Sequence, residues 1–222
     1  MRCARCGREI TQPVRVGDKT YGCECARLFA IEKEEVKQKF SAVSTIRPKA
    51  TVDIDGAPIA VDSNDLTEHI KSLGMDDGIE VTISYDPDPY FFEYCGEEME
   101  AAASYSHPEG VITFYSATNN YPEEEILEVL THEYGHAIWY QLLDSSNLSD
   151  WKIMYEKACE TKRFVSDYAS GMVEEYFAES FMTYVHDPNL LRSVSPKAYR
   201  WIETKIFNGR EFDAGQDIQI EW

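Results

Sequence analysis

The alternation of apolar and polar positions in Ile79-Glu80-Val81-Thr82-Ile83-Ser84-Tyr85 predicts a half-buried strand, stopped by Asp86-Pro87-Asp88-Pro89. Ala101 to Ser106 and Val111 to Tyr115 predict two further strands, joined by the hairpin turn His107-Pro108-Glu109-Gly110. Beyond them the period lengthens. Pro122 followed by Glu123-Glu124-Glu125 opens a helix, with proline in the first turn and acids against the positive dipole end. Ile126, Val129, Leu130 and Ala137 carry its apolar face toward Leu143. Three more helices are predicted over Asp150 to Phe164, Val173 to His186 and Ala198 to Phe207. There is no internal repeat and no low-complexity tract.

The first part of the chain reads differently. Thr11 to Gly22 predicts a hairpin turning at Gly17-Asp18, and Ala26 to Phe40 a charged helix. The segment Ser41 to Pro48 breaks that helix. The expected division is a module with its following helix over 1–40, a linker over 41–50, and a main domain over 51–222 with its core at about 100–207. The pattern as a whole is α+β: a short twisted sheet packed on a central helix, followed by a helical C-terminal half.

Composition narrows the classes. The chain has 222 residues, 43% of them hydrophobic and 27% charged, which is ordinary for a globular protein. No apolar run approaches the ~20 residues a spanning helix needs, and Met1-Arg2-Cys3-Ala4-Arg5-Cys6 has no apolar stretch behind it, so a cytoplasmic location and no membrane partner are expected. A formal charge of −19 repels nucleic acid phosphates and attracts basic peptides, which makes nucleic acid an unfavoured partner. The number of subunits is not legible.

Cys3, Cys6, Cys23 and Cys25 crowd the first 25 residues, whereas Cys95 and Cys159 are scattered and read as ordinary thiols. In a reducing compartment, paired cysteines at this spacing point to a metal site rather than a disulfide frame. Too few residues are present there to bury a core, so a structural zinc ion is the expected staple. The spacing resembles a zinc ribbon or knuckle. Cys23-Glu24-Cys25 is tighter than the usual pair, with Cys25 the safer ligand and Cys23 open to replacement.

The chemistry sits in His132-Glu133-Tyr134-Gly135-His136. Residues four apart share a helical face, so both imidazoles can reach one metal ion while Glu133, on the adjacent side, reaches a water on that metal. A catalytic zinc needs a third protein ligand and an open position. Glu174-Glu175-Tyr176-Phe177-Ala178-Glu179 supplies candidates: Glu175 and Glu179 share a face that the intervening apolar residues turn inward, where two carboxylates need a cation. Glu175 is expected as the third ligand and Glu179 as the partner that holds a ligand histidine, with Glu174 in solvent. His69, His107 and His186 fall in turn or helix-end contexts and call for no functional role.

The pairing of this motif with Ser166-Asp167-Tyr168-Ala169-Ser170-Gly171-Met172-Val173-Glu174-Glu175-Tyr176-Phe177-Ala178-Glu179-Ser180-Phe181, and then with Pro196 to Ile202, resembles the catalytic domain of anthrax lethal factor and its relatives, over about half the chain. The resemblance implies a minimal zincin fold and zinc-dependent endopeptidase activity. It also implies His132, His136 and Glu175 as ligands and Glu133 as general base. Tyr168, seven residues before the glutamate ligand, is implied as electrophile or proton donor, and Val111, Thr113 and Tyr115 as an edge strand along which an extended protein or peptide substrate pairs. Secretion and toxin function are not implied, because the first hundred residues resemble nothing in that toxin. Two other classes fit less well: a zinc-binding adaptor on a silent zincin scaffold, and a nucleic-acid-associated regulatory protein.

Overall fold

The computed structural model describes residues 13–16, 19–22, 51–54, 56–74, 79–94 and 97–212. Cys3, Cys6, Cys23, Cys25, Cys95, the expected helix over 26–40 and the linker over 41–50 lie outside the described residues. Of the N-terminal module, strands β1 (Pro13–Val16) and β2 (Lys19–Gly22) pair antiparallel, with Val16 opposite Lys19, on either side of Gly17-Asp18.

The main sheet has four strands: β3 (Thr51–Asp53), β4 (Thr82–Asp86), β7 (Ala103–Ser106) and β8 (Val111–Tyr115). Their order is β3-β4-β8-β7, with β3 and β4 parallel, β4 and β8 parallel, and β7 antiparallel to β8. Between β4 and β7 the chain makes a separate hairpin, β5 (Phe91–Tyr94) with β6 (Glu97–Glu100). Asp86 stops β4 as the proline-rich stretch predicts, its carboxylate accepting from the Asp88 N–H.

Among the described residues there are six α-helices, four of them in the expected places. α2 (Glu123–Gln141) carries the histidine motif, α3 (Ser145–Thr161) starts five residues earlier than its sequence pattern shows, α4 (Val173–His186) has the expected bounds, and α6 (Pro196–Lys205) follows. The early start of α3 is set by Asp144, whose side chain caps the Asn147 N–H. The pattern reading missed α1 (Ser63–Ser72) and α5 (Pro188–Val194). Both carry start signals: Asp62 and Asp65 form a capping box, and Asp187 with Pro188 opens α5. The architecture is therefore α+β with a helical C-terminal half. Among the described residues no helix is long and apolar enough to cross a membrane.

The sheet corrects one expectation. Val111, Thr113 and Tyr115 do share a face, the half-buried one opposite Ile112 and Phe114. Yet β8 is an interior strand: β4 takes its main-chain groups on one side and β7 on the other. It has no edge to offer a peptide. The edge strand on this side is β7. Ala102 O accepts from the Tyr115 N–H, so Ala103 and Tyr105 turn their main-chain groups away from β8.

α2 and α4 form the centre of the molecule. Trp151 of α3 is fully buried, edge-on to Tyr176, Phe177 and Trp201, and Phe181 and Tyr184 stack on Phe207. Each such pair adds about 0.5–1.5 kcal/mol beyond its buried area. The two helices lie close together at Gly135, where a Cβ would stand 3.0 Å from Ala178 Cα and 3.3 Å from Ala178 Cβ. Backbone on a packed helix cannot move aside locally, so a side chain here must separate the helices. Alanine is the better helix former by about 1 kcal/mol, whereas overpacking costs about 1–3 kcal/mol. Gly135→Ala is therefore expected to lower stability in urea unfolding and to weaken metal binding at the neighbouring histidines. A more stable variant with unchanged metal affinity would show that the close approach is unimportant.

Candidate metal centre and active site

His132 and His136 project from one face of α2 because they are one turn apart, and Glu175 projects toward them from the first turn of α4. Three atoms converge. His132 Nε2 is 3.2 Å from Glu175 Oε2, His136 Nε2 is 3.3 Å from the same oxygen, and the two Nε2 atoms are 3.2 Å apart. Donors bound tetrahedrally at about 2.0–2.1 Å from a small divalent ion stand about 3.4 Å from one another. The near-equilateral triangle fits that requirement, and these three residues can hold a metal ion.

The electrostatics agree. His132 and Glu175 are each 9% exposed, and His136 is half-buried. Burial works against charge on the imidazoles, yet the Glu175 carboxylate, aided at His132 by Glu179, raises both of them above the ordinary histidine value. Burial likewise opposes the Glu175 carboxylate, but the two imidazoles hold it far below the usual range. A pocket that draws protons onto buried imidazoles is one that favours a cation.

Glu179, one turn beyond Glu175, accepts from His132 Nδ1 at 2.8 Å. That bond leaves the Nε2 lone pair for the triangle. Ser166 donates to the other oxygen of Glu179. Burial pushes the Glu179 carboxyl up, but His132 and the Ser166 hydroxyl together bring it below the ordinary value.

Glu133 is buried beside the triangle. Burial pushes its carboxyl above the ordinary value, against the two imidazoles and a hydrogen bond from the Tyr105 main-chain N–H on β7. A carboxylate made more basic in this way, next to a metal-binding face, can take a proton near neutral pH. Tyr168 sits in a short 3₁₀ turn (Tyr168–Ser170) before α4, with its ring 5.9 Å from that of His132. The site thus brings together His132, Glu133, His136, Tyr168, Glu175 and Glu179. Thr113 and Val111 stand in the interior strand, and Tyr115 bonds to Ser104 at 2.8 Å.

Glu174 is not in solvent but buried to 3% exposure. α4 is surrounded, so the residue before the ligand glutamate also turns inward. Two histidines dismissed from the sequence also prove to be placed together. His69 of α1 and His186 at the end of α4 stack on one another and both reach the Thr131 hydroxyl, at 2.8 and 2.9 Å. Thr131 directly precedes His132, so this contact braces the motif helix from behind. Sequence offered no signal for it, since the three residues lie far apart along the chain.

The profile of the family "Anthrax toxin lethal factor, N- and C-terminal domain" matches residues 97–205. No curated protein matches the chain. The matched segment runs from β6 to the end of α6 and contains every residue of the metal-binding triangle, and it supports a lethal-factor-like relation for this part of the chain.

Proposed function

We propose that this protein is a zinc-dependent endopeptidase. The observation that carries the reading is the triangle of His132 Nε2, His136 Nε2 and Glu175 Oε2 at 3.2–3.3 Å, with a basic, buried carboxylate beside it. Two imidazoles and one carboxylate are the donor set of a catalytic zinc with an open position.

Zinc held there would polarise the scissile carbonyl and make water acidic enough to attack it near neutral pH. Glu133 takes the proton from the attacking water and delivers it to the leaving amine. The Tyr105 N–H keeps that carboxylate aimed at the site. Tyr168 directs its phenol at the oxygen on which negative charge develops, a donor whose contact strengthens in the transition state. Glu179 fixes the His132 ring and tautomer. An extended peptide pairs with β7, the edge strand beside the site, rather than with β8.

The substrate we infer is a protein or peptide with basic residues near the bond cleaved. Asp86 at the end of β4, Asp88 in the loop that follows, and Glu93, Glu98 and Glu100 on the β5–β6 hairpin are all exposed. Tyr90, just before the hairpin, stacks on Tyr115 of β8. A second, structural zinc at Cys3, Cys6, Cys23 and Cys25 completes the proposal, as does a cytoplasmic setting.

The test is zinc content per chain by elemental analysis, on wild type and on His132→Ala/His136→Ala protein purified without added metal. Two ions falling to one are expected, followed by cleavage of a degenerate peptide library by wild type alone. A single ion that the double substitution leaves in place would end the peptidase reading.

A further inference from the structure

The geometry points to Ser166 as a positioning residue that ties the turn bearing Tyr168 to the ligand His132, so that phenol and metal site are set as one unit; this rests on the metal reading of His132. The hydroxyl of Ser166 has one proton to give. It accepts from the Ala169 N–H at 3.0 Å, which can only donate, and it donates to Glu179 Oε2, which as a carboxylate can only accept. Its orientation is therefore fully determined. On one side it closes the 3₁₀ turn Tyr168–Ser170, and on the other it bonds the carboxylate whose second oxygen holds His132 Nδ1 at 2.8 Å.

The path is continuous: Ala169 N–H, Ser166 hydroxyl, Glu179 carboxylate, His132 ring. A shift of His132 is passed to the turn that carries Tyr168, and the reverse. The far end of the same turn is held differently. The single phenol proton of Tyr155 on α3 is shared between Ser170 O and Gly171 O, both at 3.0 Å. Ser166 couples the turn to the ligand His132, while Tyr155 anchors the far end of the turn to α3. Partners that orient a ligating histidine change metal affinity about 10–100-fold when removed, and the same loss would here displace a catalytic donor.

The experiment compares wild type with Ser166→Ala, Ser166→Thr and Tyr155→Phe in the full chain. It measures zinc affinity by competition with a chromophoric chelator. It also follows amide exchange at Ala169 to Gly171 with and without zinc, and the kinetics on a peptide that wild type cleaves. Ser166→Ala is expected to weaken zinc by about tenfold or more, to lose the zinc-dependent slowing of exchange in the turn, and to lower kcat at saturating zinc with KM little changed. Ser166→Thr keeps the hydroxyl and is expected to restore all three. Tyr155→Phe should leave zinc affinity as in wild type. If Ser166→Ala matches wild type in zinc affinity and exchange while wild type binds zinc and cleaves, the coupling is wrong and the metal reading stands. If Ser166→Ala does not fold, Ser166→Thr decides: weak zinc binding with the hydroxyl present overturns the role. Wild type that takes up no zinc at His132 overturns both.

Discussion

Glu133→Gln is expected to reduce peptide cleavage by about 10³-fold or more while zinc stays bound, because the variant removes the proton acceptor and leaves every ligand. The amide is nearly isosteric with the carboxylate, and its oxygen can still accept from the Tyr105 N–H that now reaches Glu133. The fold should tolerate the change. Glu133 is 7% exposed, and burial already disfavours its charge, so losing that charge costs little. The check is kcat at saturating zinc, paired with metal content on the same sample. Lost turnover with full zinc identifies Glu133 as the base and separates an enzyme from a silent scaffold. Turnover close to wild type would place the proton transfer on another group, and Tyr168 would be the next residue to replace.

A steep loss of stability between pH 6.5 and pH 4 is the second large expectation, and it originates behind the site. Thr131 donates its one hydroxyl proton to Leu127 O at 2.7 Å, so His69 and His186 must each donate to it from Nε2. Donation from Nε2 is what a neutral ring with its one proton there can make, and His69 Nδ1 is buried with no hydrogen-bond partner. A second proton would be a buried charge. Burial, and for His69 also the nearness of His186, lowers both histidines to about 4. The unfolded chain takes up protons near pH 6.5 and the folded one does not until about pH 4. Stability is therefore fully present above pH 6.5 and falls as pH drops through that window. The loss is on the order of 3 kcal/mol for each histidine by pH 4, against a total of about 5–15 kcal/mol for a domain. Urea unfolding across pH 4 to 7 measures it. His69→Gln keeps an N–H at the Nε2 position without a titrating ring, and should remove about half of the slope. A slope unchanged in that variant would assign the acid sensitivity elsewhere.

Tertiary contacts explain where sequence reasoning stopped. The pattern missed β3, β5, β6, α1 and α5, all short enough that packing rather than periodicity decides them, although Asp62 and Asp187 mark two of their starts. The edge-strand expectation failed for a related reason. That β7 and β8 pair is legible from the four-residue turn between them. That β4 covers the other side of β8 is a parallel pairing brought about by a distant part of the chain. Glu174 was misplaced because a helix with one apolar stripe was expected, and α4 is instead enclosed on nearly all sides.

What the chain determined by itself is local and periodic. Four-residue spacing puts His132 and His136 on one face of α2, and Glu175 and Glu179 on one face of α4, whatever surrounds them. Acids in the first turn also mark the starts of both helices, because the dipole acts within a turn. What only the tertiary structure decided is which faces meet. Gly135 lying against Ala178 lets the two helices approach until three donor atoms stand 3.2–3.3 Å apart. Ser166 bonding to Glu179, and His69 meeting His186 on Thr131, are likewise decided by how separate segments pack together. Hydrogen bonds need partners within about 3 Å, and residues dozens of positions apart come that close only after the apolar faces between them have left water.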